Sequence, residues 1–305
     1  MSEKKVYFIR HKVEEYSPKD ISELKKAEKI AIFFDDVPFD QVVENIDYSV
    51  DEIEYNEEYF KEHPNSTYKS ALKYMWTLGK NGGLVVAEYN SEDKCYIGEV
   101  KKGTEIVNFE EKFKGKFNVT IQLSDVKTIE YADYPVLPAV RPIQGTICNP
   151  HAPFFTDVIP AIYNNDFSNI KIRRSLLHYK MLEQLCVEYL REKKGLKYCI
   201  LRPGISLAKI DIAGVSNDGE LMYAQVKADH ITQARHDEFK KFVNKKIGGE
   251  DKEEVMSYIF CEKANDVKNK SININYIDVD VVFDHFYKKD QDMIKRMIGF
   301  AGKIL

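Results

Sequence analysis

The sequence predicts an α/β protein built in two parts. The C-terminal part reads as a mixed sheet flanked by helices. The N-terminal part reads as an α+β domain containing a small β-barrel or sandwich. Three observations predict this. After residue 168, helix-period and strand-period hydrophobic patterns alternate in the order α-β-β-β-α-β-β-α. Between Leu84 and Tyr131 the runs are short, strand-like and separated by turn residues. Six of the ten prolines (Pro135, Pro138, Pro142, Pro150, Pro153 and Pro160) mark a border between the two patterns. The expected division is therefore 1–134, 135–167 and 168–305. The middle segment is expected to be an ordered connector, too proline-rich for a helix or central strand, because it also carries Val136, Leu137, Val140, Ile143 and Ile147.

In the first part, Val6–Arg10 is an expected strand. Ser17 before Pro18 is an N-cap with proline in the first turn of a helix. Ala31–Phe34 is a second strand and Thr67–Leu78 a second helix. Asn81-Gly82-Gly83 then turns the chain into strands at Leu84–Tyr89, Cys95–Lys101 and Phe117–Tyr131, an SH3-like density of strands and turns. In the last part the helices are expected at Arg174–Glu192, Thr232–Lys246 and Phe286–Phe300. The strands are expected at Tyr198–Leu201, Ile205–Val215, Leu221–Lys227, Val255–Cys261 and Ile272–Phe283.

A chain of 305 residues, 44% hydrophobic and 31% charged, has enough apolar residue for one large or two ordinary cores. It has no apolar run of the roughly 18 residues a membrane helix needs. Its opening MSEKKVYFIRHK lacks the apolar stretch of a secretory signal. The five cysteines are scattered and form no CxxC pair, which disfavours a disulfide framework or a zinc ribbon. A cytoplasmic location without membrane attachment is expected.

The net charge of −4 conceals an asymmetry. Residues 1–166 hold 20 Lys and Arg against 29 Asp and Glu, net −9, and residues 167–305 hold 25 against 20, net +5. The basic half suits a polyanion; the acidic half would repel one. Eleven carboxylates lie between Asp35 and Glu62. They read as a solvated face or as a docking surface for a protein partner.

The residues with chemical content lie in the C-terminal part. Leu176, Tyr179, Glu183, Cys186 and Leu190 are spaced three and four apart, so they share one helix face, widened by Leu182, Leu185 and Tyr189. Glu183 thus falls in a stripe that should be buried, where a carboxylate is costly unless paired or bound to metal. On the strand Leu221–Lys227, Tyr223, Gln225 and Lys227 point one way. The turn before it decides what they meet. A two-residue Asp218-Gly219 loop would set Asp211 opposite Val226, on the wrong face. A three-residue Asn217-Asp218-Gly219 loop, with Gly219 left-handed, sets Asp211 opposite Gln225 with Lys227 diagonal to it. We expect the three-residue loop or an equivalent bulge. Two carboxylates and an amide oxygen are hard ligands suited to Mg²⁺, and Lys227 would stand beside them as a compact cation.

The segment 182–227, LEQLCVEYLREKKGLKYCILRPGISLAKIDIAGVSNDGELMYAQVK, resembles the PD-(D/E)xK nuclease superfamily, specifically its Mrr-like restriction-endonuclease branch. Glu183 matches the helix acid and Asp211 the metal-binding aspartate. Gln225-Val226-Lys227 matches the QxK variant of the second half-motif. The likeness extends over roughly residues 168–285. It implies a mixed sheet flanked by helices and a Mg²⁺-dependent DNA endonuclease, with Mn²⁺ as a substitute ion and a place in restriction or antiviral defence. Asp211, Glu183 and Gln225 would be metal ligands and Lys227 the fourth catalytic group.

DNA contacts would come from Lys171, Arg173, Arg174, Arg202, Lys209, Lys240, Lys241, Lys245 and Lys246, through phosphates rather than bases. His178, His230 and His236 show no zinc spacing and read as bystanders or DNA contacts. Two departures stand out: Gln225 replaces the usual acid, and Arg202-Pro203-Gly204 replaces a glycine-rich approach to the aspartate. In this branch the nuclease is often fused to a module that chooses the target. The N-terminal part fits that role, with Tyr7, Phe8, Trp76, Tyr89 and Tyr96 either core aromatics or the lining of a base pocket. The competing readings are a nuclease-fold DNA-binding or regulatory subunit without catalysis, and an adaptor recruiting a protein through its acidic half. Double-strand cleavage would call for two active sites, hence a homodimer.

Overall fold

A computed structural model of the chain describes residues 5–11, 17–34, 43–62, 68–89, 92–108, 117–140, 147–150, 152–201, 209–247, 255–268 and 270–300. The chain divides into two compact units, Met1–Ile170 with Gly299–Leu305, and Lys171–Ile298. The architecture is mixed α/β in both. Among the described residues no helix is long and apolar enough to cross a membrane.

The first unit begins with β1 (Val6–His11) and α1 (Pro18–Lys26). Ser17 caps α1 as expected: its hydroxyl accepts from the Asp20 amide while Asp20 accepts from the Ser17 amide. β2 (Lys29–Phe34), β3 (Val43–Asn45), β4 (Glu54–Tyr55) and α2 (Glu57–Glu62) follow. α3 (Tyr68–Asn81) ends where Gly82 takes φ +75°, a conformation costly for any residue with a Cβ. Then come β5 (Gly83–Tyr89), β6 (Lys94–Val100), β7 (Ile106–Asn108), β8 (Phe117–Gln122) and β9 (Ser124–Glu130).

These strands form a five-stranded sheet, β10-β1-β5-β6-β9, where β10 is Ile147–Cys148, and a three-stranded sheet, β2-β8-β7. Residues from both sheets, among them Ile9, Val85, Ile32 and Val119, share one core with Leu24 of α1 and Met75 of α3. The SH3-like order is not found. β1 and β5 run parallel, which needs a long crossover rather than a hairpin. Tyr7, Phe8, Trp76, Tyr89 and Tyr96 are all buried, and four of them belong to that core, so they line no base pocket.

The proline-rich segment differs from the expected connector. It is part of the first unit and carries two short helices, α4 (Val136–Val140) and α5 (Ile159–Asn164), besides the edge strand β10. Prolines are tolerated here because Pro138 lies in the first turn of α4, where amides have no helical acceptor. Ahead of Pro160, the backbone widens into a π turn over Phe154–Val158. Arg141–Thr146 lies outside the described residues.

In the second unit, the expected helix Arg174–Glu192 is split. Arg174–Leu176 is one 3-10 turn, Leu177 is extended, and His178 caps α6 (Tyr179–Lys194). Gly195, at φ +72°, ends it. β11 (Leu196–Cys199), β12 (Ile212–Ser216), β13 (Leu221–Val226), α7 (Gln233–Ile247), β14 (Val255–Cys261), β15 (Asn275–Asp278), α8 (Val279–Lys289) and α9 (Gln291–Ile298) complete it. The sheet order is β11-β12-β13-β14-β15. β11, β12 and β13 are antiparallel; β13, β14 and β15 are parallel.

α6 packs on one face, where Tyr189 meets Phe260, and α7 on the other, where Phe242 meets Tyr223 edge-on. The strand expected over Ile272–Phe283 is short because Asp278 caps a helix at the Asp280 amide. Val279, Val282, Phe283 and Phe286 then bury one helical face. The expected closing helix Phe286–Phe300 is broken at Asp290, whose carboxylate accepts from the Met293 amide.

Candidate functional site

The hairpin that carries the expected aspartate and lysine has the three-residue loop. Ile212 pairs with Ala224, Gly214 with Met222 and Val215 with Leu221. The Ser216 amide donates to the Glu220 carbonyl at 2.8 Å, closing a loop of Asn217, Asp218 and Gly219, and Gly219 has φ +89°. One detail departs from the simple register. The Asp211 amide donates to the carbonyl of Ala224, the residue already paired with Ile212. Two consecutive residues therefore oppose one, which is a β-bulge. It turns Asp211 toward the face of Ala224 and Val226, the face covered by α6.

There Asp211 is buried, and its Oδ2 accepts from the Val226 amide at 2.7 Å and from the Lys227 ammonium at 3.3 Å. Lys227 is held in turn by its own amide, which donates to the Phe260 carbonyl. Glu183 is buried on α6 among Leu182, Leu185, Cys186 and Leu190. Cys186 marks the meeting point. Burial, and then the negative charges of Glu183 and Asp211, push its thiol well above the ordinary range. Strand acid and lysine thus meet at the carboxyl end of β13, the end of an open α/β sheet where ligands bind, and the helix acid acts with the strand acid on the Cys186 thiol.

Gln225 does not join them in the expected way. Alternation along β13 sets it with Tyr223, and its neighbour in β14 is Ile259, part of the core under α7. It is 1% exposed, and among the described residues its Oε1 accepts no hydrogen bond. The physical reason is the bulge, which moves Asp211 off the face that a plain hairpin would share with Gln225.

The expected phosphate contacts separate into groups. Lys171, Arg173 and Lys209 are exposed, Lys209 two residues before Asp211. Arg202 lies outside the described residues. Arg174 serves structure. Its Nη1 donates to the Ala228 carbonyl at 2.5 Å and its Nε to Asp280 at 2.5 Å, with Glu262 at 3.8 Å. It ties the segment just after Lys227 to two other elements. Arg174→Ala is expected to cost about 2 kcal/mol of stability, since it strips a partly buried carbonyl of its charged donor, and urea unfolding measures this. Lys240, Lys241, Lys245 and Lys246 lie on the crossover helix α7. That helix runs back from the carboxyl end of β13 to the start of its parallel neighbour β14, so these lysines recede about 10–20 Å along it from the acids. His236 is buried and bonded to Tyr276 at 2.8 Å, and His230 contacts the Glu262 carbonyl at 3.2 Å.

The residue that the apolar stripe misplaced is Tyr179, which is 49% exposed at the start of α6. The signal for this was the preceding histidine: His178 is extended, caps the helix, and opens the stripe to solvent.

Among the described residues no group of three His, Cys, Asp or Glu side chains is arranged to hold a metal. The carboxylates that could hold a hard cation here are those of Asp211 and Glu183; Mg²⁺ takes one or two carboxylates and completes its shell with water and phosphate.

No protein-family profile matches the chain, and no curated protein matches it. Two solved structures are similar. One is a repair endonuclease from Pyrococcus abyssi, at 10% identity and TM-score 0.21 over 65% of this chain and 70% of that one. The other is an EndoMS–dsDNA2 complex, at 11% identity and TM-score 0.22 over 64% of this chain and 84% of that one. At such TM-scores the likeness carries no argument about activity; the side chains gathered at the end of β13 have to carry it.

Proposed function

We propose that the unit Lys171–Ile298 is a metal-dependent DNA endonuclease of the PD-(D/E)xK type and that the N-terminal unit selects its target. The observation that carries this reading is the Asp211 carboxylate held between the Val226 amide and the Lys227 ammonium, with a second buried acid, Glu183, beside the same thiol. Asp211 and Glu183 would hold Mg²⁺ or Mn²⁺. The ion supplies positive charge against the phosphate oxygens as the phosphodiester is hydrolysed. Asp211 orients the Lys227 ammonium. Lys227 meets the phosphate and fixes the attacking water. Exposed Lys209, Lys171 and Arg173 grip the backbone, which makes binding strongly salt-dependent. The described residues of one chain offer one such site, so double-strand cleavage would take a homodimer.

The test is nicking of supercoiled plasmid. Wild type is expected to nick with Mg²⁺ and not with a chelator, and Lys227→Ala to lose most of that activity. Equal cleavage by both proteins rejects the site. A readout independent of turnover accompanies it: millimolar Mn²⁺ is expected to raise the melting temperature of wild type and not that of Glu183→Gln.

A second reading has one specific observation in its favour. Position 225 carries a neutral amide in the layer under α7 rather than a third acid at the site. A nuclease fold kept for DNA binding alone would bind DNA, take up no Mn²⁺ and leave the plasmid intact.

A further inference from the structure

Tyr179 is a large aromatic side chain that stands open near the helix acid. It lies four residues before Glu183, one turn away on the same side of α6, and it is 49% exposed. Burial, and then the charge of Glu183, push its phenol up. The ring is also braced. His178 packs against it at 4.2 Å between centroids, tilted by 41°. His178 is itself fixed, because its Nδ1 accepts from the Lys180 amide at the helix start. Burial, aided by Lys180, holds this imidazole down at about 4, so it is neutral near pH 7 and adds no charge to the ring stack.

A half-exposed aromatic side chain, pre-oriented by a second ring, costs little entropy to use. Beside a phosphate-directed site, the chemical group that fits such a face is a nucleobase whose own π-face is free. In an intact duplex each base is stacked on its neighbours, so the group must be unpaired or splayed out.

We infer that Tyr179, braced by His178, is a stacking platform for an unpaired nucleobase next to the phosphate handled by Glu183, Asp211 and Lys227. This rests on the nuclease reading for the phosphate and adds the substrate class: nucleic acid with a single-stranded segment, such as a flap, a loop or a frayed end. Tyr179 is a positioning residue. Phenylalanine should replace it; a small side chain should not.

The experiment uses the full chain with a chelator present, so that binding is read without cleavage. The probes are a single-stranded oligonucleotide carrying 2-aminopurine and a blunt duplex of the same sequence. Wild type and Tyr179→Phe are expected to quench the 2-aminopurine. Tyr179→Ser is expected to lose the quenching and to bind the single strand about tenfold more weakly, a typical loss for one stacked base. Its duplex affinity should change less than twofold and its melting temperature should be unchanged. Equal affinity of Tyr179→Ser and wild type for the single strand overturns the inference, as does an equal loss on both probes. If wild type binds neither probe, the inference falls together with the nucleic-acid reading. Failure of the catalytic reading alone is recognised separately, as unchanged plasmid nicking in Lys227→Ala.

Discussion

Asp211→Asn is expected to leave the C-terminal unit folded and to lower Mg²⁺-dependent nicking by about a thousandfold or more. Asparagine keeps an oxygen that accepts from the Val226 amide, the contact Asp211 makes at 2.7 Å inside the protein. It loses the negative charge that would hold the ion and pair with Lys227 at 3.3 Å. The loss of an ion's stabilisation of transition-state charge, several kcal/mol, is about three powers of ten in rate. Alanine is the poorer variant. It leaves a buried amide without an acceptor, which costs about 1–3 kcal/mol and mixes a folding defect into the rate. The two substitutions together separate the roles. Unfolding in urea should distinguish alanine from asparagine, and single-turnover nicking should not. Residual activity of Asp211→Asn within tenfold of wild type would remove Asp211 from the reaction.

That this residue was recognisable in the sequence comes down to the turn. Asn217-Asp218-Gly219 supplies a glycine for the left-handed position, and the loop length then fixes which residues of the two strands face each other. Glu183 was legible for a different reason: an acid inside a helical stripe of leucines is conspicuous, and the structure buries it there.

The bulge at Asp211 was not legible. No glycine or proline stands at Asp211 or Ile212 to mark it, and the partnership expected between Asp211 and Gln225 is not made. The β-branched run after Ile272 misled as well. The segment up to Phe283 fits a strand locally, but the Asp278 cap starts a helix that buries Val279, Val282, Phe283 and Phe286 on one face. Prolines misled in the opposite direction, because a residue that ends helices also begins them. The receding lysines of α7 show a last limit. Charge is visible in residue types, whereas the direction of a crossover helix emerges only once β13 and β14 are known to be parallel.

In the N-terminal unit, lowering the pH from 7 to 4 is expected to cost about 3 kcal/mol of stability through His11 alone. His11 is fully buried at the end of β1 and stacks on Tyr89, with ring centroids 4.7 Å apart. Its Nε2 accepts from the Ala31 amide at 3.0 Å, so its Nδ1 carries the proton and donates to the Glu88 carbonyl at 3.1 Å. One ring thereby joins β1, β5 and β2, the strands that link the two sheets of the unit, and only the neutral imidazole has one donor and one acceptor to do so. Burial lowers its pKa to about 4, against an ordinary value of 6.5.

The folded state therefore refuses a proton that the unfolded chain accepts. Above pH 6.5 both forms are neutral and the stability is fully present. Between 6.5 and 4 the unfolded chain gains the proton first, and stability falls by about 1.4 kcal/mol per pH unit. Below 4 both forms are charged and His11 adds nothing further. His11→Gln keeps a donor and an acceptor but does not titrate. It should be less stable at pH 7, having lost the stack on Tyr89, and should lose less stability between pH 6.5 and 4. Urea unfolding at pH 7, 6, 5 and 4 reads both slopes, and parallel slopes for the two proteins would show that the acid sensitivity of the unit arises elsewhere.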